Sequence, residues 1–141
     1  GNRTVDYGAI ERYIMEIESK YGVTVMGIGY DRYNALSTAQ KLEDAGYTMV
    51  EIKQHSSVLH PATKWVAELV AEGNLLYEKS NKLLEINFEN SRCVYDTNMN
   101  RYVNKKKSRG KVDMVVAGIN AMYLLHQNYM LNSALDWVVQ I

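Results

Sequence analysis

The chain reads as an α/β fold organised around a parallel βαβ unit, and three observations predict it. Residues 23–30 (VTVMGIGY) and 47–52 (YTMVEI) are short, mostly apolar and rich in β-branched or aromatic side chains, as strands are. Between them, residues 34–45 carry Leu36, Ala39 and Leu42 at helical spacing, with short connections on both sides. Strand, helix and strand in that order make two parallel neighbours. Segments before and after repeat the helical period, so helices flank the strands.

The elements follow in order. Residues 6–21 predict a helix, because Ile10, Tyr13, Ile14, Ile17 and Tyr21 recur on one side while Glu11, Glu16, Glu18 and Lys20 take the other. Thr4 or Asp6 caps its start and Gly22 ends it. The apolar run over 23–30 predicts a strand covered on both faces. Gly46 stops the helix over 34–45 before the second strand. Pro61, suited to a first turn where its missing N–H is harmless, opens a helix running to residue 72 before Gly73. A shorter helix covers 81–90. Residues 91–95 and 101–103, separated by Asp96-Thr97-Asn98-Met99-Asn100, predict a hairpin with a polar turn. A long helix over 111–126 presents Val112, Val115, Val116, Ile119 and Tyr123 to the core. The tail over 128–141 has Leu131, Leu135 and Val138 at helical spacing and is expected to dock on its own domain.

Composition narrows the function classes. At 141 residues the chain is long enough for one domain with a real core, and 47% hydrophobic with 23% charged residues is ordinary for a soluble globular protein. No run of apolar residues is long enough to span a membrane, and no signal-peptide pattern opens the chain. Gly1-Asn2 reads as the scar of a removed tag. The single cysteine, Cys93, excludes an internal disulfide, fits a reducing compartment and is expected to be a small buried side chain. Net charge is zero, yet residues 101–111 hold Arg101, Lys105, Lys106, Lys107, Arg109 and Lys111 with no acid among them. Such a cluster favours phosphate, and it reads equally well as a solvated basic loop.

Two aspartates carry the chemistry. Asp31 ends the first strand of the parallel unit, and ligands in open α/β sheets gather beyond the carboxyl ends of strands. Asp113 sits in the first turn of the long helix and borders its buried face, in line with Ala117 and Asn120. Each has an ordinary structural reading: Asp31 as a cap before the next helix, Asp113 as an acid favoured by the helix dipole. Their separation of 113 − 31 = 82 residues means that only the fold brings them together. Paired hard carboxylates at element ends are the material of a Mg2+ or Mn2+ centre for phosphodiester hydrolysis, in which two cations lie roughly 3.5–4 Å apart.

Other chemistries find no support. There is no GxxxxGK[ST] phosphate loop, and Gly27-Ile28-Gly29 lies inside a strand, where it permits close backbone packing. His55, His60 and His126 lack the further ligands a zinc site requires and are read as surface or capping groups. No G-x-S-x-G elbow is present. Trp65 and Trp137 are expected to anchor packing.

YDRYNA, then Lys41-Leu42, Gly46 and a strand end at 52–54, resembles the nuclease domain of the bacteriophage large terminase subunit. The similarity continues through Pro61-Ala62, Glu68-Leu69, Gly73, Asn87, Asn90, the lysines before Ser108, and KVDMVVA at 111–117, covering about residues 5–123 in the family's order. The resemblance implies an RNase H-like fold, a mixed sheet flanked by helices, that cuts double-stranded DNA concatemers with Mg2+ or Mn2+. It makes Asp31 and Asp113 the second and third of three metal-binding, catalytic acids. Lys105, Lys106, Lys107, Arg109 and Lys111 become the candidate DNA contacts. Expected partners are the portal and the small terminase subunit, in the cytoplasm of the bacterial host. The first family acid lies on an opening strand, and no residue before Asp31 matches it; the leading three-stranded meander is therefore expected to be missing. That departure implies weak or absent cutting by this chain and an open sheet edge prone to self-association. It keeps two alternatives: a non-catalytic DNA- or partner-binding module of the packaging machinery, and an RNase H-like nuclease of recombination or repair.

Overall fold

A computed structural model describes residues 4–139, with side chains through Asn128 apart from that of Asn34. Trp137, Leu131, Leu135 and Val138 lie outside the described side chains. The chain falls into two compact units, residues 1–52 and 53–141.

The first unit holds α1 (Tyr7–Tyr21), β1 (Ile28–Tyr30), α2 (Arg32–Asp44) and β2 (Met49–Glu51). The predicted βαβ unit is present: β1 and β2 are parallel, with Ile28 opposite Met49, Gly29 opposite Val50 and Tyr30 opposite Glu51. The Ile28 N–H donates to Thr48 O and the Ile52 N–H to Tyr30 O, both at 2.9 Å, closing the ladder at its ends. Ala39, Leu42 and Ile52 are buried, so two residues of the predicted α2 stripe face the core, while the third, Leu36, near the start of the helix, is exposed. Asp6 caps α1 by accepting from the Ala9 N–H at 3.0 Å, and Gly22 ends it at φ 62°, a conformation glycine adopts without a Cβ penalty. Glu11 ties α1 to α2, accepting from Thr38 Oγ1 at 3.2 Å and pairing with Lys41 at 3.9 Å.

The first strand is shorter than the apolar run predicts, and it is not covered on both faces. Among the described residues β1 pairs only with β2, so its other edge has no ladder. Val23 and Met26 precede the strand, outside any ladder, and are exposed, Met26 by 76%. The apolar side of α1 is only partly covered: Ile14 and Ile17 are half-buried, while Ile10, Tyr13 and Tyr21 are exposed.

The second unit holds α3 (Ser56–Ala71), α4 (Lys82–Asn90), β3 (Cys93–Tyr95), β4 (Arg101–Val103) and α5 (Asp113–Val139). Its core is the α3–α5 seam, where Ala62, Val66, Val115 and Ile119 are buried and Leu59, Phe88, Val103, Met122 and Tyr123 pack against them. Full burial of each large aliphatic side chain stabilises the unit by about 1.5–3 kcal/mol. Helix α3 starts earlier than Pro61: His55 caps it by accepting from the Ser57 N–H at 3.1 Å, and Pro61 lies inside. The proline therefore interrupts one intrahelical bond rather than opening the helix. Helix α5 runs on to Val139, so the predicted end near 126 and the separate tail are one continuous helix. Beyond Gly118 no glycine or proline interrupts it.

The predicted hairpin is antiparallel, with Cys93 opposite Val103 and Tyr95 opposite Arg101. Cys93 is exposed rather than buried, because the strand alternation that half-buries Val94 sends Cys93 and Tyr95 outward. Asp96 organises the turn. Its Oδ1 accepts from the N–H groups of Asn98 (2.8 Å) and Asn100 (2.9 Å), and its Oδ2 from Ser56 Oγ (2.6 Å) and Asn100 Nδ2 (3.1 Å). The Arg101 N–H donates to His60 Nδ1 at 2.7 Å, a second tie between hairpin and α3.

These donors, the Ser56 hydroxyl first and the Asn100 N–H next, hold the Asp96 carboxyl down at about 2 from an ordinary 3.8. A depressed folded pKa stabilises the folded state above the unfolded value and loses that contribution as pH falls through the folded one. The hairpin is thus expected to loosen between pH 4 and 2. Hydrogen exchange of the Asn98 and Asn100 amides should accelerate over that window relative to the intrinsic rate, and Asp96→Asn should flatten the dependence. Equal pH profiles in the two proteins would show that Asp96 is not the group responsible.

Candidate functional site

Asp31 directly follows the last residue of β1 and is the N-cap of α2, with φ −94° and ψ 120°. Its Oδ1 accepts from the Tyr33 N–H at 3.2 Å, while Oδ2 takes no protein donor among the described residues. The side chain is half-buried. Capping and ligation are therefore compatible roles for one carboxylate, since each engages a different oxygen.

Asp113 is the first residue of α5. Asp113 itself is exposed, between buried Val112 and half-buried Met114. The positive end of the helix dipole favours a negative group here. The helix entrance is held from α4. Asn87 Oδ1, on a side chain only 3% exposed, accepts from the Met114 N–H at 3.1 Å, and Asn90 Nδ2 donates to Lys111 O at 3.2 Å. Seven residues along, Asn120 and Gln54 exchange amide hydrogen bonds of 2.8 and 3.3 Å.

The loop between β4 and α5 carries the basic cluster. Asn104 Oδ1 accepts from the Lys106 and Lys107 N–H groups, both at 3.0 Å. Asn104 O accepts from the Ser108 N–H at 3.0 Å and from its Oγ–H at 2.7 Å. Ser108 Oγ in turn accepts from the Arg92 N–H at 3.1 Å, which fastens the loop to the hairpin. Lys105, Lys106, Lys107, Arg109 and Lys111 are all exposed. Arg101 stands apart: it is half-buried in β4, with its guanidinium 6.0 Å from the Tyr95 ring centre. The fold thus brings Lys105, Lys106, Lys107, Arg109 and Lys111 onto one loop that leads straight into Asp113. Asp31 belongs to the other compact unit.

Sequence reasoning did not assign a role to Asn87, Asn90, Asn104 or Ser108. A signal existed for the first, because an asparagine inside an apolar helix is unfavourable unless its side chain has partners. Of the histidines, His55 caps α3 as expected, whereas His60 and His126 are half-buried and make tertiary contacts: His60 accepts the Arg101 N–H, and His126 meets Trp65 edge-on at 6.0 Å. A shallow cavity of about 280 Å³ lies by Val70, Leu75, Tyr77, Glu85, Phe88 and Glu89, and its two carboxylates make it a poor phosphate site. Carboxylate oxygens are the ligands that Mg2+ and Mn2+ prefer, so Asp31 and Asp113 fit in kind. In number they fall short, since no group of three His, Cys, Asp or Glu side chains is arranged to hold a metal ion among the described residues. Nor is any described helix long and apolar enough to cross a membrane.

Comparison with known proteins bears on this geometry. The model of the family "Terminase large subunit, endonuclease domain" matches residues 2–128. The crystal structure of the HK97 bacteriophage large terminase superposes with a TM-score of 0.74 at 22% identity, over 87% of this chain and 26% of that one. That likeness shows the fold, and the chain spans about a quarter of the length of the protein it matches. The comparison with curated proteins returned no match.

Proposed function

The chain belongs to the family of terminase large-subunit endonuclease domains, and on that footing we propose that it takes part in metal-dependent hydrolysis of double-stranded DNA during phage genome packaging. The observation that carries this reading is local. One exposed basic loop runs without interruption into an exposed aspartate at the head of a helix. That arrangement suits a phosphodiester held by cations beside a metal-binding carboxylate.

In this reading Asp31, through its Oδ2, and Asp113 hold Mg2+ or Mn2+. When bound, such a cation would supply Lewis acidity and make a coordinated water more acidic. Lys105, Lys106, Lys107, Arg109 and Lys111 hold the DNA phosphates, and Asn104 and Ser108 keep those cations on a fixed backbone. The substrate is the concatemeric duplex, the partners are the portal and the small terminase subunit, and the place is the cytoplasm of the bacterial host. A second reading, a module that retains DNA without cutting it, is favoured because no group of three His, Cys, Asp or Glu side chains is arranged to hold a metal ion among the described residues.

Supercoiled plasmid with manganese separates the two. The nuclease reading expects nicked and linear products that vanish when the metal is chelated; retention with no cutting by the intact protein supports the module. Replacing Lys105, Lys106 and Lys107 by Gln is expected to flatten the dependence of log affinity on log salt by about 0.9 for each phosphate no longer neutralised. An unchanged salt slope would remove the basic loop from the DNA-binding surface.

A further inference from the structure

We propose that Asn87 and Asn90 are positioning residues, which lock the entrance of α5 to α4 and so fix where Asp113 and Lys111 present their charges. The proposal rests on the nuclease reading above and deepens it. Asn87 is buried in α4, with both ends of its amide used: Oδ1 accepts from the Met114 N–H at 3.1 Å and Nδ2 donates to Leu83 O at 2.9 Å. The first turn of a helix leaves N–H groups without intrahelical partners. Here one of them is satisfied by a side chain 27 residues earlier rather than by a local cap. The bond falls on the residue immediately after Asp113, so it fixes the backbone from which that carboxylate projects.

Asn90, one turn further along α4, grips the residues just before. Its Nδ2 donates to Lys111 O at 3.2 Å, and its own carbonyl accepts from the Arg109 N–H at 3.0 Å. Gly110 lies between these two bonds, and a Cβ there would come within 2.7 Å of Asn90 Nδ2. Glycine at 110 is what allows the loop to lie against the asparagine. Arg109, Lys111 and Asp113 thus share one frame, set by the Asn87 and Asn90 side-chain amides and the Asn90 main-chain carbonyl on a neighbouring helix. Neither asparagine has a role in the catalytic chemistry itself.

The test uses manganese alone and plasmid DNA on the intact protein, with melting temperature measured alongside. Asn87→Leu keeps the branched shape with a somewhat larger side chain and removes both the acceptor and the donor, and is expected to weaken manganese binding by about 10- to 100-fold, as losing a partner that orients a metal ligand does. Asn87→Asp keeps an acceptor for the Met114 N–H and should lose clearly less, even where both variants melt lower. Gly110→Ala pushes the Asn90 amide off Lys111 O. Its loss of DNA retention should therefore equal that of Asn90→Ala, with no further loss in the double variant. Full manganese affinity in a folded Asn87→Leu protein, or additive losses in the double variant, would overturn the positioning role. Asp113→Asn keeps the two failures apart. If it leaves manganese uptake unchanged, the metal reading fails and the positioning of Asp113 fails with it. If it abolishes uptake while Asn87→Leu does not, only the positioning role fails.

Discussion

Asp113→Asn is expected to reduce manganese-dependent nicking of plasmid by about a hundredfold or more, since even partners that merely orient a metal ligand contribute 10- to 100-fold. The substitution keeps size and shape and removes one charged oxygen donor. Its structural side effect should be small, because Asp113 is exposed and the bonds holding the start of α5 run through Met114 and Lys111 instead. The lost dipole interaction is worth about 0.3–1 kcal/mol. Initial rates over a manganese titration, with the melting temperature as control, are the measurement. A variant that cuts at the normal rate removes Asp113 from the centre, and a collapse in melting temperature would assign it a structural role instead.

Ile119→Ala should be the most destabilising simple truncation in the second unit, at about 2–5 kcal/mol. Ile119 is 3% exposed and lies in the cluster with Ala62, Val66 and Val115, where α3 and α5 meet. Ala62 supplies little side chain opposite, so the space vacated at Ile119 has few atoms able to move in. Leu125→Ala on the same helix is the matched control: Leu125 is 52% exposed, and its truncation should cost no more than about 0.5 kcal/mol. Denaturant midpoints followed by circular dichroism compare the two. A loss below about 1 kcal/mol at Ile119 would mean that the seam is looser than its burial implies.

What the sequence made legible was local. The helix over 6–21 announces itself through Asp6 and Gly22 at its ends, and both do the capping expected of them. Asp31 reads as a cap and is one. The βαβ unit and the hairpin follow from apolar runs divided by a helical period or a polar turn. The errors arose where a residue's neighbours in space decide the outcome. Val23 and Met26 have the composition of a covered strand, yet β1 begins only at Ile28 and both side chains are exposed, because burial depends on what packs against a residue. Pro61 suits a first turn, but His55 provides a better start six residues earlier. Asn87 reaches Met114 and Asn90 reaches Lys111 across a hairpin and a loop, a relation that periodicity does not encode. The acids of the candidate site were visible as residue types; the amides that hold one of them were not.

The Asn104 turn has a consequence for how the basic loop would meet DNA. The N–H groups of Lys106, Lys107 and Ser108 are already donated to Asn104, so they form no amide nest for a phosphate. Binding is left to side-chain cations, the lysine ammonium heads and the Arg109 guanidinium. Ordering the backbone, about 1–2 kcal/mol of entropy per residue, has already taken place on folding and is not repeated at each encounter. Ammonium groups are point charges on flexible stems and make little demand on direction. To such lysines one phosphate is equivalent to the next, so their grip on a duplex is expected to be indifferent to its base sequence.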